Sequence, residues 1–322
     1  MTAQPTCAAP DTTSLDSPDV PDVLDVALAQ LAEFRDADRE ITPLPGGLTN
    51  RIYKVNAAAG RTVVARVSTG KSSLLAIDRV AECRNAVAAA QRGAGPRVLL
   101  CDPAAGVSIV DWIDGRTFTD ADLADSTALA RVAANCRRLH AGPRFGNDFD
   151  MFEVQQRYLT AVLEHGFRLP AGYRSYAGAV ERIQAALAVQ PEPTVACHND
   201  LLAANIMDSA GRIWFIDYEY SGNNDPCFEL GNIWSEANLH TDALAELVAA
   251  YYGTASRARV ARARLLALMS KYGWTLWGSI QDGVSDVEFD FWAWGMEKYD
   301  RAVAEFDGPE FAQLIDDVQK PI

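Results

Sequence analysis

The sequence predicts an α+β protein in two lobes: a small β-rich lobe over residues 23–112 and a larger, mostly helical lobe over residues 113–322. Three observations carry this expectation. Before residue 112, apolar residues fall in short, β-branched runs bounded by Gly and Pro, as strands require. After Gly115 they recur at three- and four-residue spacing over long stretches, the period of helices that bury one face. At 322 residues the chain also exceeds the usual ~100–200 of a single domain.

The first 22 residues are rich in Thr, Ser, Asp and Pro and read as a frayed tail. A helix is expected over Val23 to Phe34. Strands follow at Ile41 to Leu44, Arg51 to Val55 and Thr62 to Val67, with turns at Pro45-Gly46-Gly47 and near Gly60. Leu75 to Ala90 reads as a helix with Ile77, Val80, Ala81 and Val87 or Ala88 on its buried side. Arg97 to Leu100 and Val107 to Trp112 complete the β-rich lobe. The second lobe opens with helices over 120–140, 153–165 and 173–187. A strand pair then turns at Ser209-Ala210-Gly211 between 205–208 and 212–216. Helices over 229–239, 242–252, 258–281 and 287–306 come next, with a short one after Pro309. A cleft between two such lobes is the expected ligand position.

Composition narrows the function. There are 29 basic and 43 acidic residues, a net charge of −14, and 282–322 alone carries eleven Asp/Glu against three Lys/Arg. Nucleic acids and anionic membranes reward a basic face, so both are disfavoured as partners. The six cysteines form no CxxC pair and the four histidines do not gather with them in sequence. Neither a structural zinc site nor a disulfide framework is expected, and the cysteines read as buried small hydrophobes. No basic-then-apolar leader opens the chain and no run of 18 apolar residues interrupts it, which points to the cytoplasm.

The chemistry concentrates between Val195 and Asn232. His198, Asp200 and Asn205 precede the short strand pair; Asp217 and Glu219 follow it. Phosphoryl transfer to an alcohol needs such a set: one carboxylate to orient the acceptor hydroxyl, and an Asn and a second Asp as hard oxygen ligands for Mg²⁺. Gly70-Lys71-Ser72-Ser73 imitates the end of a P-loop, but Ala65 stands where its first glycine belongs. Arg257, Arg259, Arg262 and Arg264 spread around their helix and read as a solvated face, whereas Ala128, Val132 and Cys136 form a core stripe.

His198-Asn199-Asp200-Leu201 with Asn205, and Ile216-Asp217-Tyr218-Glu219-Tyr220, resemble the choline/ethanolamine kinase family, a branch of the protein-kinase-like phosphotransferases that includes the aminoglycoside phosphotransferases. The resemblance covers most of 44–306 and implies the bilobal protein-kinase-like fold, with ATP and Mg²⁺ as cofactors. By family role, Asp200 is the catalytic base, Asn205 and Asp217 are metal ligands, and His198 supports the catalytic loop. Gly46, Gly47 and Asn50 stand in the nucleotide loop. Arg66 takes the place of the phosphate-contacting lysine of protein kinases, with Glu82 as its expected partner. Val110 and Trp112 lie on the stretch that binds adenine.

The acceptor side is implied in the same way. Trp274 and Trp277, three apart on one helix, share a face. With Trp294 they match the aromatic residues that enclose a trimethylammonium group in choline kinases, where rings attract the cation. Glu236 matches the carboxylate facing that cation, and Glu219 belongs to the substrate side. Glu229 and Ile233 stand where the family often has Asp and His. The expected activity is ATP-dependent phosphorylation of choline. Ethanolamine, thiamine, an aminoglycoside or a sugar-like alcohol is the alternative acceptor, and a non-catalytic nucleotide-binding protein the remote one.

Overall fold

The computed structural model describes residues 20–35, 38–58, 60–68 and 74–321. Most of the expected N-terminal tail and the Lys71 segment lie outside them. Contacts divide the chain into two units: residues up to 72 together with 97–112, and residues 73–96 together with 113–322. The boundary read after residue 112 is one edge of this division. The helix near residue 80, by contrast, groups with the helical unit.

In the first unit, α1 (Val20–Leu28) and a 3₁₀ turn at Ala32–Phe34 precede five strands: β1 (Arg39–Leu44), β2 (Asn50–Ala57), β3 (Thr62–Ser68), β4 (Val98–Asp102) and β5 (Val107–Asp111). They form one antiparallel sheet in the order β1-β2-β3-β5-β4. Alternation decides which side is buried. Val63, Ala65 and Val67 face a core with Leu24, Leu28, Phe34, Tyr53, Val55 and Ile109, so Arg66 is carried on the opposite face. Gly46 has a φ of +105°, and a Cβ at Gly47 would collide with the Asn50 carbonyl oxygen, so the loop before β2 requires both glycines.

The second unit begins with α2 (Arg79–Gln91) and runs through β6 (Arg116–Thr117), α3 (Asp120–Leu123), α4 (Ser126–His140), α5 (Met151–His165), α6 (Ala177–Val189) and β7 (Val195–Cys197). A 3₁₀ turn at Ala203–Asn205 leads into β8 (Ile206–Ser209), β9 (Arg212–Phe215) and β10 (Gly222–Asn224). Five helices follow: α7 (Pro226–Glu236), α8 (Thr241–Tyr252), α9 (Arg257–Val284), α10 (Phe291–Phe306) and α11 (Phe311–Val318). The hairpin β8–β9 carries β6 on its outer edge, and β7 pairs with β10. Helix α9 is buried almost continuously from Ala258 to Gln281 and packs against α5, α7, α10 and α11. Where it crosses α10, a Cβ on Gly278 would stand 3.0 Å from the Gly295 Cα, so two facing glycines set the approach.

Three expectations change. Helix α2 starts at residue 79, because the Asp78 side chain accepts the N–H groups of Val80 (2.9 Å) and Ala81 (3.0 Å) and so ends the preceding turn. Its apolar side is not the buried one: Val80 is 46% exposed, while Glu82, Asn85 and Ala89 face inward. Of the four arginines of α9, only Arg257 is exposed, so they do not form a solvated face either. Arg262 is buried, paired with Asp225, and donates to the carbonyls of Leu187 (3.2 Å) and Gln190 (2.9 Å). Arg259 pairs with Glu192 at 3.1 Å, and Arg264 with Glu305 at 2.7 Å.

Candidate active site

The segment after β7 is held by one buried carboxylate. Glu229, fully buried on the first turns of α7, accepts the backbone N–H of His198 (2.8 Å) and of Asn199 (3.0 Å) on the same oxygen. Asn199 is in the left-handed region at φ +69°, a conformation Asn tolerates, and its side chain donates to the carbonyls of Tyr220 and Gly222. His198 has a single tautomer consistent with its partners. Its Nε2–H donates to the Ile216 carbonyl at 2.8 Å, and its Nδ1 accepts the Asp200 N–H at 3.3 Å. Burial lowers its pKa, so the ring is neutral and ties the loop to the end of β9.

This geometry sets Asp200, Asn205 and Asp217. The Asn205 amide donates to the Asp200 carbonyl at 2.9 Å and approaches its carboxylate at 3.4 Å, and the Ile216 N–H donates to the Asn205 carbonyl at 3.0 Å. Asn205 and Asp217 therefore sit at neighbouring ends of the β8–β9 hairpin, as the spacing predicts. With its nitrogen committed to Asp200, Asn205 offers its side-chain oxygen. Asp217 adds a half-buried carboxylate at φ +66°. Desolvation, then the charges of Glu236, Asp217 and Glu219, push the Asp200 carboxyl well above the usual carboxylate range. A site so rich in negative charge, with hard oxygen donors only, fits a magnesium ion.

Trp277 and Trp294, which the family pattern assigns to the acceptor, meet with ring centroids 5.0 Å apart across the α9–α10 crossing. Trp274 packs edge-on against Tyr220 at 4.8 Å, and the Tyr220 hydroxyl accepts the Trp277 indole N–H at 2.9 Å. The Trp274 indole N–H is buried without a hydrogen-bond partner among the described residues. Glu236 does not stand open: both of its oxygens hold the Lys298 ammonium, at 2.8 and 2.6 Å, and that ammonium also lies 4.3 Å from the centre of the Trp294 ring. A cavity of about 200 Å³ opens beside Glu219 and Tyr220, lined further by Asp78, Asp150, Glu153 and Arg157.

The profile of the family described as Choline/ethanolamine kinase matches residues 41–259. The chain belongs to this family. Its members are phosphotransferases with an alcohol group as acceptor, so family, fold and reaction class agree with the sequence reading. Protein LicA of Haemophilus influenzae is 29% identical over 213 residues, 64% of this chain, and the chain spans 61% of that relative's length. Ethanolamine kinase 2 of the mouse is 26% identical over 287 residues, 79% of this chain and 73% of the relative. A crystal structure of a choline/ethanolamine kinase family protein from Mesorhizobium loti superposes with a TM-score of 0.80 at 31% identity, covering 93% of this chain and 99% of that one.

Other residues of the site escape a sequence reading. Glu229, standing where the family often has Asp, proves to be the anchor of the 198–200 segment. Its second oxygen lies 3.5 Å from His140, which in turn is 3.6 Å from the Cys197 sulfur. The expectation that histidines and cysteines stay apart thus fails, because packing of α4 on β7 joins residues 57 positions apart. Each group has ordinary partners: His140 meets the Tyr251 hydroxyl at 2.7 Å, and the Cys197 thiol donates to the Asn224 carbonyl. Arg79 is the other unforeseen member. Its guanidinium joins Glu82 (2.8 Å) to Glu219 (3.1 Å), linking α2 to the turn after the hairpin. Asn85 of the same helix donates to the Ser221 carbonyl at 3.1 Å and to Asn147 at 2.9 Å.

In the sheet unit, Arg66 is half-buried opposite Ile52 and Ser108. Asn50 is buried and donates to the Thr49 hydroxyl at 2.9 Å. Val110 pairs with Val64 and Val98, and the Trp112 ring lies 4.4 Å from the Lys54 ammonium.

Proposed function

We propose that this protein transfers the γ-phosphate of ATP to the hydroxyl of a small amino alcohol, with choline as the preferred acceptor. The observation that carries the reading is the neutral, doubly bonded His198 and the buried Glu229, which together fix Asp200 beside Asn205 and Asp217. Asp200 is the group that orients the acceptor hydroxyl and takes its proton as the bond to phosphorus forms. Its raised pKa suits a proton acceptor matched to a weakly acidic alcohol. Asn205 and Asp217 would hold Mg²⁺, which when bound neutralises charge on the phosphates. On the nucleotide side, the residues assigned by family pattern are Gly46, Gly47, Asn50, Arg66, Val110 and Trp112, with Glu82 supporting them.

Choline is preferred over ethanolamine on the chemistry of the acceptor wall. Trp274, Trp277, Tyr220 and Trp294 present aromatic rings, and a trimethylammonium gains from ring faces, whereas a primary ammonium needs hydrogen-bond acceptors. A coupled ADP-release screen with choline, ethanolamine, thiamine and an aminoglycoside tests the assignment. Choline should give the highest kcat/KM. Turnover with thiamine or the aminoglycoside alone would overturn it.

A further inference from the structure

The acceptor wall already contains a cation of its own. Lys298 is 3% exposed, and its ammonium contacts both oxygens of Glu236 while lying 4.3 Å from the centre of the Trp294 ring. A buried lysine needs compensation on this scale, because an unpaired ammonium out of water is costly. The consequence for a ligand is specific. Of the groups that sequence pattern assigns to the substrate cation, Glu236 and one face of Trp294 are taken by a side chain. The rings of Trp274, Trp277 and Tyr220, joined by the Trp277–Tyr220 hydrogen bond, are not engaged by Lys298.

We propose that Lys298 is a specificity-determining residue: a resident primary ammonium that occupies the Glu236 carboxylate and so biases the acceptor wall toward a methylated, non-donating cation. This inference rests on the amino-alcohol reading for its substrates. A trimethylammonium has no N–H to donate and loses little when Glu236 is already neutralised. A primary ammonium has three donors to satisfy, and beside Lys298 it meets a carboxylate already bonded through both oxygens. Lys298 is thus a positioning residue that acts through Glu236 and not on the reacting atoms.

The test compares wild type, Lys298→Met and the double variant Lys298→Met/Glu236→Gln by two readouts. One is kcat/KM for choline and for ethanolamine; the other is binding of tetramethylammonium and methylammonium, followed by tryptophan fluorescence. Lys298→Met frees a carboxylate able to accept charge-assisted hydrogen bonds. The preference for the methylated over the primary cation should therefore fall about tenfold in both readouts. The double variant removes carboxylate and ammonium together, so the preference should return to within about twofold of wild type. It also guards against misfolding, since replacing both members of a buried pair is tolerated better than stranding one. Equal loss for both cations in Lys298→Met, or a preference that collapses in the double variant, would overturn the proposal. So would a wild type that binds no tetramethylammonium. A wild type that binds tetramethylammonium but turns over neither alcohol would instead refute the amino-alcohol kinase reading, and the binding arm would still decide the role of Lys298.

Discussion

Replacing Glu229 with Gln isolates the contribution of one buried charge to the loop that carries Asp200. The carboxylate oxygen that accepts the His198 and Asn199 N–H groups at 2.8 and 3.0 Å would become a neutral amide oxygen of nearly the same shape. Hydrogen bonds to a charged acceptor contribute roughly 1.5–3 kcal/mol and neutral ones roughly 0.5–1.5, so two bonds should lose about 2 kcal/mol together. For a unit of this size that is a fall of about 4–8 °C in Tm. Urea denaturation at pH 7, read by circular dichroism, measures it, and kcat should fall in parallel because the loop carries Asp200.

The pH dependence has a definite sign. Burial alone would raise the pKa of Glu229, but its contact with the His140 ring and the bond from the Asn199 N–H outweigh it, and the group is held below its ordinary value. A depressed carboxylate stabilises the fold above its unfolded pKa of about 4.3 and loses that contribution as pH falls through the folded value. The gap between wild type and Glu229→Gln should therefore be constant from pH 7 to about pH 5 and shrink in stronger acid. A gap under about 0.5 kcal/mol at pH 7, or one already lost between pH 7 and 6, would refute the reasoning.

Three further substitutions probe the acceptor wall and the core. Trp274→Ala or Trp277→Ala should raise the choline KM about 5- to 30-fold, the value of one desolvated ring face of roughly 1–2 kcal/mol, with ATP affinity unchanged; titration calorimetry with choline checks it, and equal affinities in folded variants would count against the cage. Arg262→Met should destabilise by about 3–5 kcal/mol in urea melts, because it strands the buried Asp225 and two carbonyls at the end of α6, while KM for the acceptor stays unchanged in the folded fraction.

The fold class was legible because short β-branched runs predominate before about Gly115 and long helical spacing predominates after it. That His198, Asp200, Asn205 and Asp217 come together was legible because they are local: one hairpin joins them, and spacing alone reports that. What escaped depends on long-range packing. Helix α2 reverses its expected buried side because Glu82 and Asn85 find polar partners across the unit, in Arg79–Glu219 and Ser221, which no pattern within the helix announces. Lys298 was hidden for the same reason, since its carboxylate lies 62 residues away on another helix. Arg262 read as a surface residue because its charge was visible and Asp225, 37 positions upstream, was not assigned to it.

The central claim, that Asp200 accepts the acceptor's proton in phosphoryl transfer, is tested most directly by single-turnover kinetics of Asp200→Asn with Mg·ATP and choline. The substitution keeps the size of the side chain and removes only its capacity to take the proton. Transfer should slow by two or more orders of magnitude, in line with the ~10²–10⁴-fold of general base catalysis, while ATP affinity stays within about twofold. Transfer at a near-wild-type rate under saturating ATP and choline would contradict the account.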